Sequence, residues 1–121
     1  HAMLGALPQD IAGVDAVVSN SLLHHLPDPA LLWSVVARAG RRGATVVVMD
    51  LARPPSVEDA ARIVATHAAG EPAVLREDFH NSLLAAYTPE EVRLQLAAAG
   101  LAGIEVRSVS DRHWLAVGRL P

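Results

Sequence analysis

Two adjacent histidines, His24 and His25, stand in the turn Leu22-Leu23-His24-His25-Leu26-Pro27-Asp28, directly after an apolar run. An imidazole titrates near neutrality, so either ring could take a proton from a hydroxyl or amine during a group transfer. The same rings could instead do no more than hydrogen-bond backbone groups at the entrance of a helix. A metal site built from His24, His25 and Asp28 is not expected, because Pro27 breaks the spacing that would align the ligands and the chain has no cysteine. Asp50 closes a second apolar run. Its carboxylate could bind a substrate amine, pair with Arg53, or cap neighbouring backbone at a strand end.

The elements that must hold these groups follow from pattern. Val14–Ser19 and Ala44–Met49 are short β-branched runs ended by Asn20 and Asp50, the pattern of parallel strands buried on both faces. Between them Asp28 can cap a helix with Pro29 at its first position, and Leu31, Leu32, Val35, Val36 and Ala39 recur at helical spacing up to Gly40 and Gly43. The result is a β-α-β unit whose crossover should be right-handed. Ser56, with Glu58 and Asp59 behind it, opens a second helix that ends at Gly70 and Pro72. Pro72–Tyr87 reads as helical with polar interruptions, and Thr88-Pro89-Glu90-Glu91 starts a further helix that stops at Gly100. Ile104–Arg107 alternates in polarity and Trp114–Val117 is apolar, which predicts an antiparallel hairpin turning at Ser110–Arg112, with Trp114 packed in the core.

Length and composition set limits on this chemistry. The chain has 121 residues, 51% of them hydrophobic, enough for one domain, and no linker divides it. No apolar run approaches the roughly 20 residues needed to span a bilayer, and no membrane partner is expected. A reducing, cytoplasmic setting fits the lack of cysteine. His1 and Ala2 read as a cloning remnant before Met3. With a net charge of −3 and no lysine, no continuous basic face is available for phosphate backbones, so nucleic acid is not an expected partner.

Taken in order, these motifs resemble the C-terminal half of class I S-adenosylmethionine-dependent methyltransferases. Val14–Pro29, VDAVVSNSLLHHLPDP, is similar to the fourth strand and its loop in that family, Gly43–Pro54 to the fifth strand, and Tyr87–Gly100 to the threonine-capped helix before the closing hairpin. The resemblance covers about residues 5–120. It implies an α/β fold, a partial Rossmann-like sheet of two parallel strands plus a C-terminal antiparallel hairpin, with flanking helices. Ligands of such sheets sit outside the carboxyl ends of the strands. The resemblance therefore implies Ser19, Asn20 and Leu22 beside the methyl-donor end of S-adenosylmethionine, with His24 or His25 facing cofactor or acceptor. It implies Asp50 and Arg53 as acceptor contacts. Glu77–Tyr87, EDFHNSLLAAY, resembles the family's acceptor lid, making Asp78, His80, Asn81 and Tyr87 further candidates for a small-molecule acceptor, unless they form a solvated helix face.

One departure bears on activity. Met3–Gly13 contains no strand and no glycine-rich turn of the kind that anchors the cofactor. On this reading residues 1–121 form a single truncated domain that needs an N-terminal half to bind S-adenosylmethionine well. One edge of the Val14–Ser19 strand, at Val17 and Val18, should then lie open, together with an apolar face, and a homodimer through either is expected. Three readings follow: an enzyme half, a dimerising half-domain that binds a small molecule, or a non-enzymatic interaction module.

Overall fold

The computed structural model describes Ala2–Met3 and residues 12–121. Its order is β1 (Ala2–Met3), β2 (Val14–Asn20), a 3-10 turn (Leu23–His25), α1 (Ala30–Ala39), β3 (Gly40–Leu51), α2 (Val57–His67), α3 (Ala73–Ala85), α4 (Pro89–Ala98), β4 (Glu105–Ser110) and β5 (His113–Arg119). The sheet runs β1-β2-β3-β5-β4, parallel across the first three strands and antiparallel at β5 and β4. The partial Rossmann-like sheet and the closing hairpin are as expected, with one parallel strand more.

That extra strand corrects two expectations. Ala2 and Met3 pair with Val17 and Val18 of β2, so there is a strand where none was expected, and the edge expected to stand open is covered at those two positions. Residues 4–11, the rest of the segment read as lacking a glycine-rich turn, lie outside the described residues, as does His1.

Local chemistry accounts for the helix starts. Asp28 Oδ1 accepts from the Ala30 amide at 3.0 Å, supplying one partner that the first turn of α1 lacks. The Ser56 hydroxyl accepts from the Asp59 amide at 3.0 Å to cap α2. Thr88 and Glu91 form a reciprocal capping box on α4, with amide-to-side-chain distances of 2.8 and 3.2 Å. β3 starts four residues earlier than its apolar run because Gly40 pairs with Val14, after which the register jumps to Ala16 opposite Thr45. Gly43, at φ +79°, accommodates that excursion.

The main core lies between one face of the sheet and helices α1 and α4. Val17, Val46, Val48, Val106, Trp114 and Ala116 from the strands meet Leu32, Trp33, Val36, Val92 and Leu96 from the helices. Trp114 is a core residue, as expected. A smaller cluster joins Leu51 to α2 and α3 through Ala60, Ile63, Val64 and Leu83. The strands are not buried on both faces. Val17 and Ser19 are buried while Val18 and Asn20 are exposed, and β3 likewise alternates between buried Val46 and Val48 and half-buried Val47 and Met49. The apolar run of β2 and β3 comes from strands filled with Val on both sides, one side lying under α1 and α4 and the other reached by α2 and α3 only at Leu51.

Candidate functional site

The parallel strands end at one rim, and the chain there is pinned by a single carboxylate. Asp50, 1% exposed, sits at the carboxyl end of β3. Its Oδ2 accepts from the Leu23 amide at 2.5 Å, and its Oδ1 accepts from the Leu51 amide at 2.8 Å and lies 2.5 Å from His24 Nδ1. Two backbone donors already point at this carboxyl, and a His24 tautomer with its proton on Nδ1 would add a third. In the neutral ring Nε2 then holds the free lone pair, the arrangement of an oriented base. The 3-10 turn makes this reach possible, because it closes on itself through Leu26 to Leu23 at 3.0 Å and presents the Leu23 amide and the His24 ring to the same partner.

The two histidines differ. The His24 side chain is 6% exposed, whereas His25 is exposed, its ring centroid 3.9 Å from that of His24 at a tilt of 42°. His25 is therefore the ring a solvent-borne molecule reaches, and His24 is the one the fold orients.

Before them the chain leaves β2 through an unusual backbone position. Ser21 has φ +57°, the left-handed region that disfavours residues with a Cβ, and its amide donates to the Met49 carbonyl at 2.9 Å. Its hydroxyl donates to the Asn20 Oδ1 at 3.1 Å. Asn20 is exposed at the rim and Leu22 is half-buried. Ser19 is buried, and its Oγ has no hydrogen-bond partner.

Arg53 and Tyr87 stand one step beyond. The Arg53 amide donates to the Tyr87 carbonyl at 3.2 Å, and Tyr87 bridges Ala52. The Arg53 guanidinium does not pair with Asp50, whose oxygens are taken; it lies 3.1 Å from Glu91 and 3.3 Å from the Ala86 carbonyl. The hydrogen bond from the Thr88 backbone, followed by Arg53, holds the Glu91 carboxyl below its ordinary value.

The structure thus gathers Ser19, Asn20, Leu22, His24, His25 and Asp50 at one rim, with Arg53 and Tyr87 beside it. Asp78, His80 and Asn81 are not brought in by any hydrogen bond to these groups. Asp78 and Asn81 are exposed on α3, and His80 is half-buried. Sequence reasoning missed Ser21 as a strained position and missed the partner of Asp50. Two strand ends joined by a β-α-β crossover were the available signal for the His24–Asp50 pairing.

No protein-family model and no curated protein matches this chain. Solved structures do. One is a SAM-dependent methyltransferase from Aquifex aeolicus, 17% identical, with a TM-score of 0.57 over 93% of this chain and 50% of that one. The structure of a possible exported protein from Bordetella parapertussis is 21% identical, with a TM-score of 0.61 over 92% and 40%. A third, the Haloferax volcanii Trm112 methyltransferase activator in complex with a putative methyltransferase, is 16% identical, with a TM-score of 0.58 over 99% and 60%. The fold is a methyltransferase fold. This chain spans about half of the matched lengths, consistent with the C-terminal half that its motifs resemble.

Among the described residues, the rim carries few free polar groups that a cofactor could meet. The exposed Asn20 amide and the left-handed turn at Ser21 offer polar groups there. The Asp50 carboxylate is too engaged to hold a ribose. A cleft of about 400 Å³ away from the rim is lined by Gly40, Arg41, Arg42, Leu101 and Leu120, where β3 begins.

Proposed function

We propose that this chain is the acceptor-side half of an S-adenosylmethionine-dependent methyltransferase of cytoplasmic setting, active when a cofactor-holding half completes it. The observation that carries the reading is the Asp50-oriented His24 beside an exposed His25, at the strand rim where open α/β sheets place ligands. The bound cofactor would supply an activated methyl group to an oxygen, nitrogen or carbon nucleophile of a small molecule. His25, exposed at the rim, accepts the proton of that nucleophile, and His24 sets the ring beside it. Asn20, Ser19 and Leu22 line the cofactor flank, and Arg53 and Tyr87 the acceptor flank, with Asp78, His80 and Asn81 of α3 as the outer wall.

Isothermal titration of the 121-residue chain with S-adenosylmethionine and S-adenosylhomocysteine, with its mass in solution taken on the same sample, tests this reading. Saturable one-to-one binding that is lost in the Asn20→Ala variant supports a cofactor flank within this chain. Absence of heat, persisting after a cofactor-holding half is supplied, refutes it.

A further inference from the structure

Helices α2 and α3 form a layer that is thinly fastened to the sheet. Their buried cluster, built on Ala60, Ile63, Val64 and Leu83, takes in one sheet residue, Leu51. Among the described residues, the side-chain hydrogen bonds that join this layer to the β4–β5 hairpin all use His67, in the last turn of α2. Its Nε2 lies 3.2 Å from Arg112 Nη1 and 3.3 Å from Asp111 Oδ2, and Arg112 Nη1 in turn donates to Asp111 Oδ1 at 2.9 Å. His67 thus has a partner in either charge state: a neutral ring can accept from Arg112 and a charged one donates to Asp111.

His113 has no such freedom. It is half-buried and pairs in register with Leu51, which puts both side chains on the face that α2 and α3 reach. Its Nδ1 lies 2.9 Å from the Ser110 hydroxyl, which also accepts from the Arg112 amide at 3.2 Å. The Arg112 carbonyl accepts from the Ala52 amide at 2.8 Å and so ties this turn to the end of β3. The charged and titratable groups around the ring are Arg112 and Asp111 of the turn, His67 of α2 and Asp50 of β3. Asp59 and Arg62 of α2 line a neighbouring cleft together with Asp111. Burial first, and then the Arg112 guanidinium, hold the His113 imidazole below its ordinary pKa, against the smaller pull of Asp111 and Asp50.

We propose that His113 is a proton-sensitive seat for the α2–α3 layer, which rests on the sheet while the ring is neutral and lifts when the ring is charged. A proton on His113 puts a cation beside Arg112 in a place short of water, and lifting the layer hydrates it. The sign follows from linkage. The closed form holds the pKa low, so closure is complete above the ring's ordinary value of 6.5 and is lost as pH falls through the lower value of the closed form. Leu51 alone then carries the layer on the sheet side, which makes a local opening of α2 and α3 less costly than unfolding of the α1–α4 core. The assignment rests on this packing and not on the methyl-transfer reading.

Amide hydrogen exchange of the 121-residue chain between about pH 7.5 and about pH 5.5, a range in which ordinary carboxylates stay ionised, is the experiment. Rates are corrected for the intrinsic effect of pH, with α4 as the internal reference, and the series is repeated for His113→Gln, a side chain that cannot charge. The expected result is that protection of α2 and α3 falls by up to about tenfold per pH unit below the ordinary value of the ring, while α4 keeps its protection and the variant shows no such fall. Titration of the His113 ring by NMR in the parent chain needs no variant and should give a pKa below the ordinary one. Protection of α2 and α3 that is flat with pH overturns the proposal. So does an equal loss in α4, which marks acid unfolding of the whole domain, a His113→Gln chain that responds as the parent does, or a ring that titrates at or above its ordinary value.

Discussion

Replacing Asp50 by asparagine isolates what the buried carboxylate does, because the shape is kept and one acceptor oxygen becomes a donor. The carboxylate takes three donors on two oxygens: the Leu23 amide at 2.5 Å, the Leu51 amide at 2.8 Å and His24 Nδ1 at 2.5 Å. An asparagine oxygen placed at Oδ1 keeps Leu51 and His24, but its NH2 then faces the Leu23 N–H. Flipped, it keeps Leu23 and turns the NH2 toward the Leu51 amide, while His24 must shift its proton to Nε2. Either way one buried donor loses its partner, at about 1–3 kcal/mol, and a charge-assisted bond weakens as well. The expected loss is roughly 2–3 kcal/mol, or a fall in Tm of about 6–12 °C for a domain of this size. Urea unfolding at neutral pH measures it, with His24→Phe as a control that leaves both backbone donors on the carboxylate and should cost less. An Asp50→Asn variant within about 0.5 kcal/mol of the parent, the range of a neutral surface change, would refute the view that this carboxylate pins the turn.

Further outcomes follow from other positions. Thr88→Ala removes one arm of the capping box and should cost about 1 kcal/mol in chemical unfolding. Glu91 has its pKa lowered, first by the Thr88 backbone hydrogen bond and then by Arg53, so its contribution to stability is complete above the unfolded-state value and fades as pH falls through the lower folded one. Glu91→Gln should therefore flatten the acid limb of the stability curve, read by unfolding from neutral pH into the carboxylate range. Gly40→Ala would drive a Cβ into the Leu120 side chain and to 3.1 Å from the Ala44 Cβ, a crowding that should cost about 1–3 kcal/mol in thermal unfolding. Ser21→Gly removes the steric penalty of φ +57° and should be neutral to stabilising by up to about 1 kcal/mol; a clear loss in the same assay would mean that the Ser21 hydroxyl bond to Asn20 matters more than the strain.

What the sequence revealed of the fold was what local chemistry writes down. Thr88-Pro89-Glu90-Glu91 and Ser56 with Asp59 are complete helix starts within four residues, and both appear as capped helices. The hairpin was legible from alternation in Ile104–Arg107. Burial of β2 and β3 was misread because Val18 and Val47 are as apolar as their buried neighbours Val17 and Val46, and a valine does not record which side of the sheet has a helix on it. The two-residue strand β1 was invisible for a related reason: Ala2–Met3 carries no strand pattern, and only the edge of β2 gives it a place. At the site, the residues of the rim were legible because they end apolar runs. The pairing of Asp50 with His24 was not, since 26 positions separate them and Arg53 offered a nearer cation in sequence.

Asp50 and Asn20 lie on different sides of one sheet, and that separates their roles. Asp50 shares its face with Val46, Val48 and Trp114, so the dyad hangs beneath the helices α1 and α4 and away from Val47, Met49 and Leu115. Asn20, in register with Met49, lies on the opposite side, so the Asn20 flank and the His24–Asp50 pair meet only around the strand ends. The β2 edge is different. β1 pairs with Val17 and Val18, beside Asn20 and Ser21, so a chain that paired along this strand would reach the proposed cofactor flank. A half that paired along this edge would compete with β1 for it. Deleting residues 1–3 should thus strengthen binding of such a half, measured by titration. Unchanged binding on that deletion would show that such a half does not use this edge.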